Sequence, residues 1–191
     1  MTLRIRARRA ALALVLATGM IPGFAGAATA PCEYWNTLVF FIRADAADVA
    51  RCLETKDANA RDAAGLTPMH RAAGFGKTPA LVKTLAEAGA QTNARDANGM
   101  TPLHLAVNFN KKPAIVAALI AAGAQTEARE RRGWTPLQLA AAFGKTPAVV
   151  RALIQAGADT GLKDKSGRTP LDYARRNKAL QGSISLFRRK E

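Results

Sequence analysis

The sequence predicts an all-α repeat solenoid with a period of 34 residues. Two observations support this fold class. The dipeptide Thr-Pro begins at residues 67, 101, 135 and 169, in equal steps of 34. Apolar residues at helical spacing also occur twice between successive Thr-Pro pairs, which indicates two helices in each repeat. Because one helix pair cannot bury its apolar face alone, the stack of repeats is the folding unit.

Each repeat begins with a short helix. Its Thr is a good N-cap, and Pro at the first helical position loses no hydrogen bond there. An apolar residue followed three positions later by Ala gives this helix its apolar face, and the small Ala lets the neighbouring helix come close. The apolar residues are Met69, Leu103, Leu137 and Leu171, and the Ala residues are Ala72, Ala106, Ala140 and Ala174.

A second helix follows in each full repeat and carries three apolar residues at helical spacing. They are Leu81, Val82 and Leu85, then Ile115, Val116 and Leu119, then Val149, Val150 and Leu153. Gly89, Gly123 and Gly157 come next and suit the left-handed conformation that ends a helix. A short segment then leads to the glycine that precedes the next Thr-Pro pair.

The segments around the Thr-Pro pairs share one pattern. It reads Gly-Leu-Thr-Pro-Met-His at 65–70, Gly-Met-Thr-Pro-Leu-His at 99–104, Gly-Trp-Thr-Pro-Leu-Gln at 133–138 and Gly-Arg-Thr-Pro-Leu-Asp at 167–172. The pattern resembles the ankyrin repeat, whose signature is Gly-x-Thr-Pro-Leu-His-x-Ala-Ala, over nearly all of the mature chain. The resemblance implies helix-turn-helix units, each followed by a projecting β-hairpin finger.

The resemblance also implies the domain boundaries. Three full repeats occupy residues 67–100, 101–134 and 135–168. An N-terminal leader and capping repeat precede them at 28–66, and a C-terminal partial capping repeat with a basic tail follows at 169–191. Gly182 interrupts this last region, so we expect its end to fray.

Residues 1–27 have the composition of a secretory signal peptide. Four Arg within the first nine positions precede an apolar run at 10–21, and small residues follow. The run is short for a membrane span, although a retained anchor is the alternative. Cleavage after Ala27 is preferred over cleavage after Ala30, because Pro31 would follow the second bond. Cleavage leaves no transmembrane segment and lowers the formal charge from +14 to +10, since four Arg and no acid are removed.

An exported chain reaches an oxidising compartment, so its two cysteines, Cys32 and Cys52, are expected to form one disulfide. Cys52 lies on the predicted second helix of the N-terminal cap and Cys32 lies before the first helix. The bond would therefore fasten the leader to the cap. Two unpaired buried thiols are the alternative. Two Cys without a nearby His do not make a metal site, and no cofactor is expected.

The tripeptide Gly76-Lys77-Thr78 matches the end of a nucleotide-binding phosphate loop, but the rest of that motif is missing. A phosphate loop needs another Gly five positions earlier, after a strand, and Arg71 stands there inside a predicted helix. The tripeptide returns at 144–146 with the same defect. It therefore indicates a turn between two helices, with Thr78 and Thr146 as N-caps. The turn makes the repeat one residue longer than the usual 33 of the family, and we expect one altered turn conformation in all three full repeats.

His70 and His104 are the only histidines. A metal or general-base role is one interpretation. The resemblance favours a structural role, in which each His bonds its own Thr-Pro turn, and Gln138 replaces it in the next repeat. Because no plausible set of nucleophile, base and acid occurs elsewhere, we expect no enzymatic activity.

Residues that differ between repeats are the candidates for partner binding. The ends of the first helices carry Phe in all three full repeats, at a position that lies toward the concave groove in the ankyrin family. The alternative is that these Phe residues fold inward as packing. The residue after each turn glycine and two Arg of the third finger complete the set. The candidates are Leu66, Phe75, Met100, Phe109, Arg131, Arg132, Trp134, Phe143 and Arg168.

The resemblance and the signal peptide together predict a non-catalytic protein–protein interaction module of an exported bacterial type, periplasmic or secreted. A protein partner would bind the concave groove and the fingers. Basic residues at the inter-helix turns and in the tail favour an alternative, an anionic envelope surface of lipid or lipopolysaccharide. A secreted effector is a third option. Export argues against nucleic acid as a partner, and a monomer is expected.

Overall fold

The computed structural model describes residues 31–187. The predicted signal peptide and the last four residues of the basic tail lie outside this part of the chain. All regular structure between residues 31 and 187 is helical. None of these helices combines the length and apolarity needed to cross a bilayer.

The described chain is a succession of helix pairs. The first helices of the pairs are Leu38–Arg43, Pro68–Phe75, Pro102–Leu105, Pro136–Phe143 and Pro170–Ala174. The second helices are Ala46–Leu53, Pro79–Glu87, Pro113–Ala121 and Pro147–Gln155. A 3-10 turn, Cys32–Tyr34, precedes the first pair, and a 3-10 segment, Lys178–Phe187, takes the place of the last second helix. First helices pack on first helices and second helices on second helices in chain order, which makes an α-solenoid of two layers.

The apolar residues predicted for both helices form one continuous core. Met69, Leu103 and Leu137 are fully buried, whereas Leu171 in the terminal cap keeps partial exposure. The four Ala residues of the first helices are fully buried. A larger side chain there would push adjacent first helices apart, because a close-packed core has no spare volume.

The Thr-Pro pairs cap the first helices as predicted. The side chains of Thr67, Thr135 and Thr169 accept a hydrogen bond from the amide three residues on, and the side chain of that residue bonds the Thr amide in return. The second helices differ. Thr78 and Thr146 stand at their N-caps, as predicted, but neither side chain makes a capping bond.

The finger segments form tight turns rather than the predicted β-hairpins, and residues 31–187 contain no strand. In the first finger, the Asp62 amide donates to the Leu66 carbonyl at 3.1 Å. A hairpin pair would return the second bond from the Leu66 amide to the Asp62 carbonyl. The Leu66 amide donates instead to the Asp62 side-chain Oδ1 at 2.9 Å. The Asp62 carbonyl accepts a hydrogen bond from the Gly65 amide. The acidic side chain therefore replaces the ladder, and the finger ends as a turn.

The inter-helix turn is not the same in all three repeats, contrary to the prediction. A Cβ added at Gly76 would lie 2.4 Å from the Ala72 carbonyl oxygen, so this turn requires glycine. The middle repeat has Asn110 at the equivalent position and cannot follow the same path. Residues Ala106–Asn110 widen into a π-helical turn instead, and Lys111 takes a left-handed conformation with φ 58°.

The C-terminal region is helical as far as Phe187, and the last residues of the end predicted to fray lie outside the described part of the chain. Two 3-10 turns meet at Ser183 within Lys178–Phe187, and Leu180 and Phe187 are both buried. The segment packs on the preceding second helix and closes the apolar end of the stack.

Cys32 and Cys52 form the predicted disulfide, with 5.3 Å between their Cα atoms, a usual separation for this bond. Cys52 is fully buried on the second helix of the N-terminal cap. The Trp35 ring packs against Phe40 and Phe41 at 5.3 and 5.8 Å between centroids. The covalent bond and this aromatic cluster together hold the leader on the cap.

We expect loss of the disulfide to destabilise the protein. A Cys32→Ser/Cys52→Ser variant should have a free energy of unfolding about 3 kcal/mol lower, because opening a loop of this length restores that much chain entropy to the unfolded state. Urea denaturation followed by circular dichroism measures the difference. Wild-type protein kept in reductant is the control and should match the variant. Two alkylated thiols in unreduced wild-type protein, seen by intact mass, would contradict the bond.

Candidate binding surface

An aromatic row runs along the C-terminal ends of the first helices. The Phe109 and Phe143 side chains are each 53% exposed, and Phe75 is half-buried. Phe75 and Phe109 lie 5.6 Å apart between ring centroids. The alternative that the whole row folds inward is therefore wrong for two of its three members, which present their rings to solvent.

Trp134 extends this row, with two ring contacts to its side chain and hydrogen bonds to its backbone. Its ring stacks on Phe143 at 5.7 Å and contacts Tyr173 at 4.6 Å between centroids. Its amide donates to Glu130 Oε1 at 3.2 Å. Its carbonyl accepts from the Glu130 amide at 3.0 Å and from His104 Nε2 at 3.1 Å. The indole is thus a half-buried, preorganised surface.

Trp134 and Phe143 border a recess of about 390 Å³, a volume within the range of ligand-binding clefts. The recess lies between the second and third fingers and the first helices beneath them. Its lining residues are Asn98, Met100, Asn108, Glu130, Arg131, Arg132, Trp134, Leu139 and Phe143.

The structure brings five of the predicted site residues to this recess, namely Met100, Arg131, Arg132, Trp134 and Phe143. The other four, Leu66, Phe75, Phe109 and Arg168, are not part of its lining.

Sequence reasoning missed four residues that also line the recess, namely Asn98, Asn108, Glu130 and Leu139. Asn108 carried a usable signal, because the equivalent residues of the neighbouring repeats are the small Gly74 and Ala142.

One acidic residue fixes each finger turn. In the third finger, Glu130 Oε1 accepts the amides of Arg132 at 2.7 Å and Trp134 at 3.2 Å. Asp62, Asp96 and Asp164 do the same in the other fingers. These carboxylates set the position of the residue after each turn glycine.

Two of these carboxylates have further partners. Burial raises the pKa of Asp62, but the amides of Leu66 and Ala64 and the Arg71 guanidinium outweigh it, so the pKa lies below its ordinary value. The Asp164 carboxylate accepts the Tyr173 hydroxyl. Burial, then this contact, raises the pKa of Tyr173. The tyrosine that supports the Trp134 ring is therefore itself fastened to the fourth finger.

His70 and His104 are fully buried and act as connectors between repeats. His104 Nδ1 accepts the Thr101 amide at 3.2 Å. Its Nε2 lies 3.1 Å from the Trp134 carbonyl oxygen, which can only accept. The imidazole is therefore neutral, with its proton on Nε2. His70 bonds Thr67 and the Met100 carbonyl in the same way, at 3.1 and 3.0 Å.

This arrangement gives the histidines the structural role that the resemblance favours. Both ring nitrogens of each His are occupied. Residues 31–187 also contain no group of three or more His, Cys, Asp or Glu that could hold a metal ion.

The stacked helix pairs and their turns define an α-solenoid repeat protein. The family model for ankyrin repeats (3 copies) matches residues 36–130 and again residues 109–187. The chain belongs to the ankyrin-repeat family, whose members generally mediate protein–protein interactions. A comparison with curated proteins returned no match.

The buried histidines predict a pH dependence of stability. Burial lowers the pKa of His70 and His104 below 6.5, the value of an exposed imidazole. The unfolded chain therefore binds protons that the folded chain excludes, so the free energy of unfolding should be constant above about pH 7 and fall as the pH drops below about 6.5. Denaturation midpoints between pH 7.5 and 5 measure this fall.

Gln138 provides the matched control variant, because it makes the same two bonds without titrating: Oε1 accepts the Thr135 amide at 2.8 Å and Nε2 donates to the Arg168 carbonyl at 3.0 Å. A His70→Gln/His104→Gln variant should keep near wild-type stability at pH 7.5 and lose most of the fall toward pH 5. An equal fall in both proteins would contradict the neutral, buried histidines.

Proposed function

We propose that the protein is a non-catalytic interaction module that binds a protein partner through the recess and the adjoining aromatic row. The observation that carries this proposal is the exposure of Phe109 and Phe143, of which Phe143 stacks on the half-buried indole of Trp134. Aromatic side chains in well-packed pockets dominate the binding energy of protein interfaces. An exposed apolar cluster of this kind is uncommon on a surface without a partner.

The rigidity of the surface supports a binding role. Trp134 is fixed by its backbone bonds to Glu130 and His104 and by ring contacts on two sides. A partner therefore has little side-chain entropy to remove when it binds. The carboxylate that lines the recess, Glu130, is committed to two backbone amides, which suits a structural role better than proton transfer.

We propose further that the mature protein works outside the cytosol, in the periplasm or beyond. The signal-peptide pattern of residues 1–27 supports this location. The Cys32–Cys52 disulfide is consistent with an oxidising compartment.

The export proposal predicts a defined mature N-terminus. Protein recovered from the periplasmic fraction of an expressing bacterium should begin at Ala28, because cleavage after Ala27 leaves a small residue on each side of the bond. N-terminal sequencing and intact mass read this directly. Replacing the apolar run at 10–21 with polar residues is the control and should retain full-length protein in the cytosol. Uncleaved protein in the cytoplasmic membrane would instead indicate a retained anchor.

The partner proposal predicts that binding depends on the aromatic surface. A Trp134→Ala/Phe109→Ala variant should capture its envelope protein roughly tenfold less than wild type, or not at all, because it loses two aromatic anchors. Immobilised protein, incubated with envelope extract and analysed by quantitative mass spectrometry, measures the change. A Leu38→Ala/Ile42→Ala variant is the matched control, since it removes apolar side chains that are 39% and 45% exposed on the capping helix. Circular dichroism should be the same for all three proteins.

A second candidate function, binding to an anionic envelope surface, rests on the exposed lysines of the inter-helix turns. Lys77, Lys112 and Lys145 are exposed, and the turns 76–78, 110–112 and 144–146 contain no acid. This function would appear as sedimentation with vesicles of acidic lipid that disappears as salt rises. The groove proposal would fail in favour of this one if the aromatic double variant captured as much envelope protein as wild type and also sedimented with the vesicles.

A further inference from the structure

The finger tips become basic along the stack. The two residues between the acidic residue and the turn glycine are Ala63-Ala64 in the first finger and Ala97-Asn98 in the second. They are Arg131-Arg132 in the third and Lys165-Ser166 in the fourth. The recess lies between the second finger, whose tip is neutral, and the third finger, whose tip is basic.

The guanidinium groups of Arg131 and Arg132 are available to a ligand. Both side chains are exposed. The three ion pairs among residues 31–187 are Arg51–Asp48, Arg71–Asp62 and Lys83–Glu87, and none involves them.

Three other finger arginines are already bonded to backbone carbonyls. Arg95 Nη1, for example, donates to the Gly99 carbonyl at 3.2 Å and to the Arg129 carbonyl at 2.7 Å. Arg61 and Arg129 make the equivalent pair of bonds.

The backbone of the third finger holds these two arginines in place. The Arg131 amide donates to the Asn98 carbonyl at 2.9 Å. The Arg131 carbonyl accepts Lys165 Nζ at 2.8 Å. The Arg132 amide donates to Glu130 Oε1. Glu130 keeps its negative charge beside the recess, but its Oε1 is bonded to two backbone amides. The two guanidiniums outnumber this one carboxylate, so the charged groups of the lining have a net positive charge.

The lining of the recess is only partly apolar. We call its apolar part the floor, which consists of Met100, Leu139, Trp134 and Phe143. The neutral amides of Asn98 and Asn108 and the charged residues of the third finger make up the polar part. A lipid headgroup or a free phosphate would satisfy the two guanidiniums and leave this floor empty. A peptide segment that carries an apolar side chain next to carboxylates would occupy both.

We infer that the recess receives an acidic peptide segment of the protein partner, with an apolar side chain on the Trp134–Phe143 floor and carboxylates at Arg131 and Arg132. The inference rests on the proposed function and names the chemistry of the partner. Arginine binds carboxylates in bidentate geometry, and complementary charge at the rim of an apolar pocket adds specificity and speeds association. The aromatic floor anchors the segment, and the basic tips select it.

Selection from a phage library of random 12-residue peptides tests the inference on the purified full chain. Enriched peptides should carry an aromatic or large aliphatic residue within a few positions of two or more Asp or Glu. The best peptide, labelled with fluorescein, is then measured by anisotropy against three variants. An Arg131→Ser/Arg132→Ser variant should bind it roughly fivefold or more weakly, because two exposed charge pairs are lost. Trp134→Ala should weaken binding roughly tenfold or more.

A Lys83→Ser/Arg151→Ser variant is the control, since it removes the same charge from two second helices that do not line the recess, and it should bind like wild type. Enriched peptides no more acidic than the library, or no enriched peptide at all, would overturn the inference. Non-acidic peptides that depend on Trp134 would overturn it and leave the proposed function intact. Peptides that depend on neither site would overturn both, and an Arg131/Arg132 dependence seen only with phosphatidylglycerol vesicles would assign the tips to a membrane surface.

Discussion

The structure depends on one hydrogen bond that is repeated along the stack. A buried side chain near the start of each unit donates to a backbone carbonyl 30 residues further on, at 2.9 to 3.1 Å, in four successive steps. The donors are Asn36, His70, His104 and Gln138, and the acceptors are Leu66, Met100, Trp134 and Arg168. An unpaired buried polar group is costly, so each unit needs its neighbour in register. The four acceptors are the residues after the turn glycines, and the bonds that stack the repeats therefore also position the variable residues of the surface.

A second set of bonds ties the fingers to one another. Arg61, Arg95 and Arg129 each donate to the carbonyl 34 residues on, at 2.7 to 2.8 Å, which is one full repeat along the stack. The fingers lack strand ladders, and these arginines connect them together with single backbone bonds such as that from the Arg131 amide to the Asn98 carbonyl. Three of the basic residues thus connect the repeats, although bonds to neutral carbonyls leave their positive charge in place. Arg131 and Arg132 of the third finger differ from them because their guanidiniums are not used in this ladder between the fingers.

Much of the fold could be predicted because it follows from local pattern. The Thr-Pro caps, the buried apolar and Ala positions and the disulfide all appear as repeated or paired residues. The turn-like fingers could not be read this way, since they depend on whether the Leu66 amide bonds the Asp62 side chain or its carbonyl. The aromatic row was identified, but its exposure depends on how adjacent repeats pack. The recess depends on contacts between two repeats, and Asn108 enters it only through the stacking of the second repeat on the third.

The middle repeat shows how a departure from the pattern can shape a surface. At Gly76 and Gly144 the chain turns so close to the carbonyl oxygen four residues earlier that a Cβ would collide with it. Asn110 forbids that path, and the chain widens into a π-helical turn whose Asn110 Nδ2 donates to the Gly76 carbonyl at 2.9 Å. The widened segment includes Asn108, which lines the recess. Phe109 also lies on it, but its exposure equals that of Phe143 on a regular helix. The irregular repeat therefore adds a polar side chain to the recess at a position where the neighbouring repeats carry the small Gly74 and Ala142, and this changes the shape that a partner would recognise.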